Sequence, residues 1–317
     1  MQARQNGVGV AQSGSSKSYD VVGLGLNAVD YLCVVPHFPR FDSKVKMATF
    51  RREGGGQIAT ALVALSRWGL TTSYLGKVGD DELGRYTRQE LEREGVDTTH
   101  LRVAPGGTSQ FAFILVDRQT GERTVVWHRD EQVNLTLQEV SRPAVTAGRV
   151  LHLDGHETEA AIQAARWARE EGIPVVLDID DVRPGTAALI QEVDFLIADQ
   201  DFPRRFTGYA DREAALREIA SQGPREVGMT LGAEGAMALS GEGIVYRPGF
   251  RVKAVDTTGA GDLFHAGFIY GLLQGWGLAE RLAFANAAAA LKCRQLGGRS
   301  GIPTLEEAYR LLEGSPG

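Results

Sequence analysis

Cysteine is almost missing from this chain: Cys33 and Cys293 are the only two in 317 residues. Thiols so far apart make no disulfide framework, and without a Cys-x-x-Cys pair no zinc-finger spacing exists. A reducing, cytoplasmic setting is expected for such a chain. Long apolar runs are also lacking, since none reaches the roughly 20 residues that a bilayer-spanning helix needs. Positive charge is not in excess. The balance of 34 Lys and Arg against 40 Asp and Glu leaves a formal net charge of −6. That argues against a general nucleic-acid or anionic-membrane surface. No Gly-x-x-x-x-Gly-Lys-Ser/Thr occurs, which excludes the P-loop route to a nucleotide. Residues 1–18 hold Gly, Ser and Gln around no apolar centre, so they read as a flexible tail rather than a signal peptide or anchor.

What is present describes a globular protein, with 43% hydrophobic and 23% charged residues. From about residue 140 short apolar strands alternate with helical periodicity. Val150 to Leu153, Pro174 to Asp178, Phe195 to Ala198 and Glu226 to Thr230 are the strands. Glu159 to Glu171 and Arg212 to Ser221 are the helices. This rhythm predicts an α/β fold with a mostly parallel central sheet flanked by helices. Tyr19 to Leu26 and Thr71 to Val78 add strands, and Gln57 to Trp68 and Asp81 to Glu94 add helices. Two stretches, about 30–52 and 102–132, stay extended and fall outside the alternation. They suit a small discontinuous β-sheet lid on a single domain covering 19–317.

The densest chemistry lies in Asp256-Thr257-Thr258-Gly259-Ala260-Gly261-Asp262. Val252 to Val255 read as the end of a strand and Leu263 to Leu273 as a helix. Gly259, Ala260 and Gly261 would then open a helix, where unpaired amides and the helix dipole attract an anion. An acid next to an anion cradle opposes phosphate binding unless it works as a base. Asp262 in that role would take a proton from an attacking hydroxyl. The run resembles the second signature of the ribokinase-like (PfkB) sugar kinases. By that resemblance Asp262 is the catalytic base and the Gly-Ala-Gly amides form the anion hole. The fold implied is an α/β core with a β lid.

Further motifs extend the resemblance. Asn27 and Asp30 stand at the end of the first strand, where the family binds sugar hydroxyls. The Gly23-Leu24-Gly25 step beside them loosely matches a dinucleotide fingerprint, but no helix follows it directly. Glu53-Gly54-Gly55-Gly56 and the helix after it resemble the first signature, so Gly55 and Gly56 are substrate-side candidates. Thr60 stands where the family usually has Asn. Lys77 to Gly84 also matches and reads as a capped turn. His152-Leu153-Asp154-Gly155-His156 has the alternation of a zinc cluster, yet the strand should end there; Asp154 is instead a hydroxyl-binding candidate. Asp178, Asp180 and Asp181 could organise water around Mg²⁺. The family's Asn-x-x-Glu is absent, with Asp199 near its place.

On the nucleotide side, Thr230, Gly232 and Gly235 match a Thr-x-Gly-x-x-Gly turn, joined by Thr258, Gly261 and Asn286. The loop from Cys293 to Pro303 resembles one that binds a monovalent cation, which makes Asp256 a K⁺ candidate. The expectation is therefore an ATP- and Mg²⁺-dependent kinase acting on a small-molecule sugar. A nucleoside kinase and a non-catalytic sugar- or nucleotide-binding regulator are the alternatives. For a nucleoside, Phe38, Phe41, Phe111 and Phe113 would be the lid aromatics. Gly54 to Gly56, Thr60 and the Gly-Gly-Arg-Ser-Gly-Ile-Pro segment resemble the sulfofructose kinase branch. An anionic sugar would need a cation, for which Arg129, Lys44 and Lys46 are the lid candidates. An exposed lid edge would serve as a homodimer surface.

Overall fold

The structure is a computed structural model that describes residues 17–314, so most of the expected tail lies outside the described residues. The strands are β1 (Tyr19–Leu24), β2 (Ala28–Val35), β3 (Thr49–Gly55), β4 (Thr72–Gly79), β5 (Val96–Asp97), β6 (Leu101–Ala104), β7 (Phe111–Asp117) and β8 (Arg123–His128). They continue with β9 (Gly148–Asp154), β10 (Val175–Ile179), β11 (Phe195–Ala198), β12 (Glu226–Thr230), β13 (Gly235–Ser240) and β14 (Gly243–Pro248). The α-helices are α1 (Gln57–Arg67), α2 (Glu82–Arg93), α3 (Arg142–Val145), α4 (Thr158–Glu170) and α5 (Thr186–Ile190), then α6 (Phe202–Thr207), α7 (Arg212–Ala220), α8 (Ala260–Leu273), α9 (Leu278–Lys292) and α10 (Leu305–Glu313).

The main sheet runs β14-β13-β12-β11-β10-β9-β1-β4-β5, with β6 also paired to β4. From β12 through β4 the pairing is parallel, and β13 and β14 close one edge antiparallel. The apolar strands VVLDI and FLIA are buried throughout, as a sheet covered on both faces requires. Successive residues of β1 enter opposite cores. Val21 packs with α1, α8 and α9, whereas Val22 packs with α4 and α7. Among the described residues no helix is long and apolar enough to cross a membrane.

One strand expectation needs correction, and one hairpin went unread. Residues 252–255 form no strand, because the amides of Val255 and Asp256 both go to the Cys293 carbonyl rather than to a ladder. Conversely β13 and β14 follow the Thr230–Gly235 turn, a hairpin that its glycines concealed.

A second, four-stranded sheet has the order β3-β2-β7-β8. The stretch at 101–104 pairs with β4 instead of joining it. Register places Glu53, Asp30, Ala112 and Trp127 side by side on one face, followed by Leu32, Ile114 and Val125. Leu32, Val34, Ala112, Ile114 and Val116 form its own small core with Leu296 of the main body, so this face looks inward. Tyr31, Phe50, Phe111, Phe113 and His128 cluster on the outer face, with Tyr31 stacked 5.2 Å from Phe113.

Candidate active site

The sheet order reverses between β1 and β9, and a crevice opens beyond the carboxyl ends of strands at such a point. Asn27, Asp154, Asp178, Asp180, Asp199 and Thr230 all stand at or just past those ends. Asn27 is buried, yet neither its Oδ1 nor its Nδ2 has a protein partner. A buried amide without a protein partner is costly, which makes this one a candidate for binding a ligand. Asp30 is 8% exposed, and its carboxyl packs so closely over Gly55 that a Cβ there would sit 2.2 Å away. Burial pushes the Asp30 carboxyl up to about 7, against the pull of Arg299 and with added repulsion from Asp262 and Glu53. Thr60 is wholly buried with its hydroxyl unpartnered.

Asp154 is differently placed. It is fully buried, and its carboxylate accepts from the amides of Leu26 at 2.6 Å and His156 at 3.0 Å. It therefore braces the turn that presents Asn27. His152 and His156 do not converge with it. His152 bonds the Val176 carbonyl inside the core and stacks on His265, while His156 lies 3.3 Å from Arg183. Among the described residues no group of three His, Cys, Asp or Glu side chains could hold a metal.

The anion cradle begins at Gly259, whose φ of 77° is left-handed and whose missing Cβ would lie 2.9 Å from Gly298. The Ala260 amide turns back to the Thr257 carbonyl at 3.2 Å. The next amides, of Gly261 and Asp262, belong to the first turn, which has no intrahelical acceptor. Asp262 keeps partial solvent access in the cleft. Burial pushes its carboxyl up to about 7, reinforced by Asp178 and opposed by His265, Arg123 and Lys292. This is the range in which a carboxylate serves as a base near neutrality.

His265, one turn on, was not singled out from sequence. Its Nδ1 is 2.9 Å from the Gly261 carbonyl and 3.3 Å from Asp178, and its Nε2 is 3.2 Å from the Ile197 carbonyl. It thus fixes the start of α8 to the core and shares Asp178, whose carboxyl burial raises well above its ordinary range. Asp199 caps α6 through the amides of Asp201 and Phe202.

A cavity of about 500 Å³ adjoins the cradle and includes Thr230, Gly232, Gly235, Gly261 and Asn286 in its lining. Ala289, Ala290 and Val252 give it flat apolar walls. Asn286 spends its Nδ2 on the carbonyls of Arg247 and Pro248, so it holds the end of β14 while facing the cavity. Thr258 is not part of that lining, because its hydroxyl and amide both bond the Asp256 carboxylate.

The lid cations are placed as follows. Lys44 lies on an exposed loop, with Lys46 beyond it. Arg129 pairs with Glu157 and also bonds Gln110 and Asn134, which ties the end of β8 to the main body. Arg123 on the inner face reaches the Thr257 hydroxyl. Of the four lid phenylalanines, Phe111 and Phe113 point outward. Trp127, 62% exposed on the inner face, is the aromatic that the strand's parity turns toward the cleft.

A cavity of about 500 Å³, the free amides that start α8, a carboxyl raised to about 7 and a buried amide without a protein partner thus gather at the carboxyl edge of the sheet. The chain belongs to the pfkB family of carbohydrate kinases, whose profile matches residues 18–305. It is 32% identical over 289 residues to the ATP-dependent ribose-1-phosphate kinase of Halopiger xanaduensis, covering 88% of this chain and 93% of that protein. It is 28% identical over 299 residues to the ribokinase of Haemophilus influenzae, covering 92% and 97%. Its fold matches a candidate ribokinase from Agrobacterium tumefaciens with a TM-score of 0.87 at 28% identity, over 92% of this chain and 97% of that one.

Proposed function

We propose that this protein transfers the γ-phosphoryl group of ATP to a primary hydroxyl of a small sugar or sugar derivative. The observation that carries this reading is the juxtaposition of Asp30 and Asp262. Both are raised to about 7, and the charge of Asp262 helps to raise Asp30, beside a buried Asn27 whose amide has no protein partner. A sugar would satisfy the Asn27 amide and the Asp30 carboxylate with neighbouring hydroxyls, and so present another to Asp262. Thr60 would add its hydroxyl, and Gly55 and Gly56 leave room for the ring. Asp262 would accept the proton as that oxygen attacks phosphorus. The first-turn amides of α8 would hold the charge on the transferring group. ATP would lie in the apolar cavity past Thr230, Gly232 and Gly235, with its base against Asn286.

Mg²⁺ would supply charge neutralisation on the phosphates. Asp180 and Asp199, whose charges repel at the end of β10 and β11, fit water-mediated contact with such an ion, which keeps much of its hydration. The four-stranded sheet would act as a lid that excludes water from the transfer. Arg123, which lowers the Asp262 carboxyl from across the cleft, would arrive with it. Two free cysteines support a cytoplasmic setting, and the aromatic outer face of the lid is a surface on which a second copy could dock.

A nucleoside acceptor is the second reading, favoured by Trp127 and Val125 standing exposed on the inner face of the lid. Coupled ADP release with Mg-ATP tests both. The panel should hold neutral, acidic, phosphorylated and sulfonated sugars alongside nucleosides. A sugar hit with inert nucleosides supports the first reading, and the converse supports the second. Silence with intact ATP binding would favour a regulator that has lost the chemistry.

A further inference from the structure

The monovalent cation expected beside Asp256 does not fit what surrounds that residue. Every oxygen of Asp256 is already bonded. Oδ1 accepts from the Thr258 amide at 2.9 Å and hydroxyl at 2.7 Å, and Oδ2 accepts from the Gly297 amide at 2.8 Å. Its carbonyl oxygen accepts from Lys292 Nζ at 2.9 Å. The neighbouring Cys293 carbonyl takes the amides of Val255 and Asp256. An ion drawn to this loop would have to share these oxygens with donors already in place, and at the Asp256 carbonyl it would meet the Lys292 ammonium 2.9 Å away from that oxygen.

Lys292 ends α9 and is fully buried. A buried ammonium is expensive, and such groups persist where their charge is used. Its hydrogen bond goes to a carbonyl, and it forms no ion pair within 4 Å among the described residues. Its charge is thus not spent on one carboxylate. Burial, joined by Arg123, pushes the amine below its ordinary range, while Asp256 and Asp262 pull it back toward the protonated form. The ammonium consequently stands behind the loop that leads into the anion cradle.

We propose that the Lys292 ammonium is the resident cation of the transfer site, replacing a dissociable monovalent ion, so that phosphoryl transfer needs no K⁺. This rests on the kinase reading given above. An ammonium and K⁺ share one charge and a preference for carbonyl oxygens, so a tethered ammonium can serve where an ion would otherwise bind. Being covalently attached, it costs no binding equilibrium and escapes exchange with bulk salt. Its positive potential adds to that of the first-turn amides where negative charge develops.

The test uses the full chain in two arms. In the first, initial rates are measured from zero to high KCl, with tetramethylammonium chloride holding ionic strength constant. Wild-type rates should stay flat, and several-fold activation by K⁺ would overturn the proposal. Lys292→Met should lower kcat by about 10–100-fold, less than the 10²–10³ typical of losing a direct oxyanion donor, with both KM values little changed. An unchanged kcat would overturn it. Lys292→Ala should regain activity with K⁺, ammonium or methylammonium, and failure of all three counts against it. The second arm needs no turnover. Crystals grown in RbCl should show no anomalous peak beside the Asp256 carbonyl in wild type and a peak there in Lys292→Ala. A wild-type peak would overturn the proposal even if no acceptor is ever phosphorylated, an outcome that would sink the kinase reading separately.

Discussion

Replacing Asp262 with Asn should separate catalysis from stability in opposite directions. The substitution keeps the shape and removes the proton acceptor. General-base loss costs about 10²–10⁴ in rate, so kcat should fall by about a thousandfold while ATP still binds. The stability effect follows from the carboxyl being pushed up to about 7. Its unfolded value is near 3.9, so at intermediate pH the folded chain keeps a proton that the unfolded chain has lost. Stability from this group is full below pH 4 and is lost as pH rises through 7. Ionised Asp262 is therefore a liability in the empty enzyme, with a ceiling of about 4 kcal/mol. Partial solvent access reduces that to about 1–3 kcal/mol. Asn never ionises, so at pH 8 the variant should melt about 2–4 °C higher than wild type, and the gap should close near pH 4. Thermal melts across pH, beside coupled-assay turnover, check both halves. The same base predicts an acid limb in kcat/KM with a midpoint near 7. Turnover within tenfold of wild type would refute the mechanism, and a Tm no higher at pH 8 would refute the electrostatic reasoning.

Asn27→Ala should raise the sugar KM by tenfold or more, about 1.4 kcal/mol, without moving the ATP KM, and steady-state kinetics in both substrates reads the split. Gly259→Ala places a Cβ 2.9 Å from Gly298 at a left-handed φ and should cost about 1–2 kcal/mol in a urea melt, together with a fall in kcat. Arg299→Met removes a buried guanidinium whose Nη2 holds the Gly55 carbonyl at 2.9 Å. Faster amide exchange should follow in β3 rather than in β9 or β10, as seen by hydrogen-exchange mass spectrometry.

The candidate site was legible in the seven residues from Asp256 to Asp262 because their chemistry is local: two glycines, a helix start and two acids within a short stretch of chain. The parallel sheet was legible because VVLDI and FLIA can hardly be anything but buried strands. Trp127 was missed because its role depends on the parity of β8, which register fixes and composition does not. Lys292 and Arg299 were missed for another reason. Long cations normally sit in solvent, and only the fold shows that these two are enclosed. The hairpin of β13 and β14 was hidden by Gly235, Gly241 and Gly243, which read as loop. Residues 252–255 misled in the opposite sense, since alternation suggests a strand only where a partner edge exists.

The loop after α9 touches both halves of the molecule. Gly297 holds the carboxylate of Asp256, while Arg299 and Ser300 hold Glu53 and, through it, the lid strand β3. A change at Glu53 is therefore transmitted along three residues of backbone to the turn that shapes the anion cradle. Lineages that remodel their lid to accept a new sugar must keep this junction intact or alter both ends together. Diversification should accordingly be concentrated on β8, which carries Trp127 and Arg123 and stands clear of that loop's tie to β3.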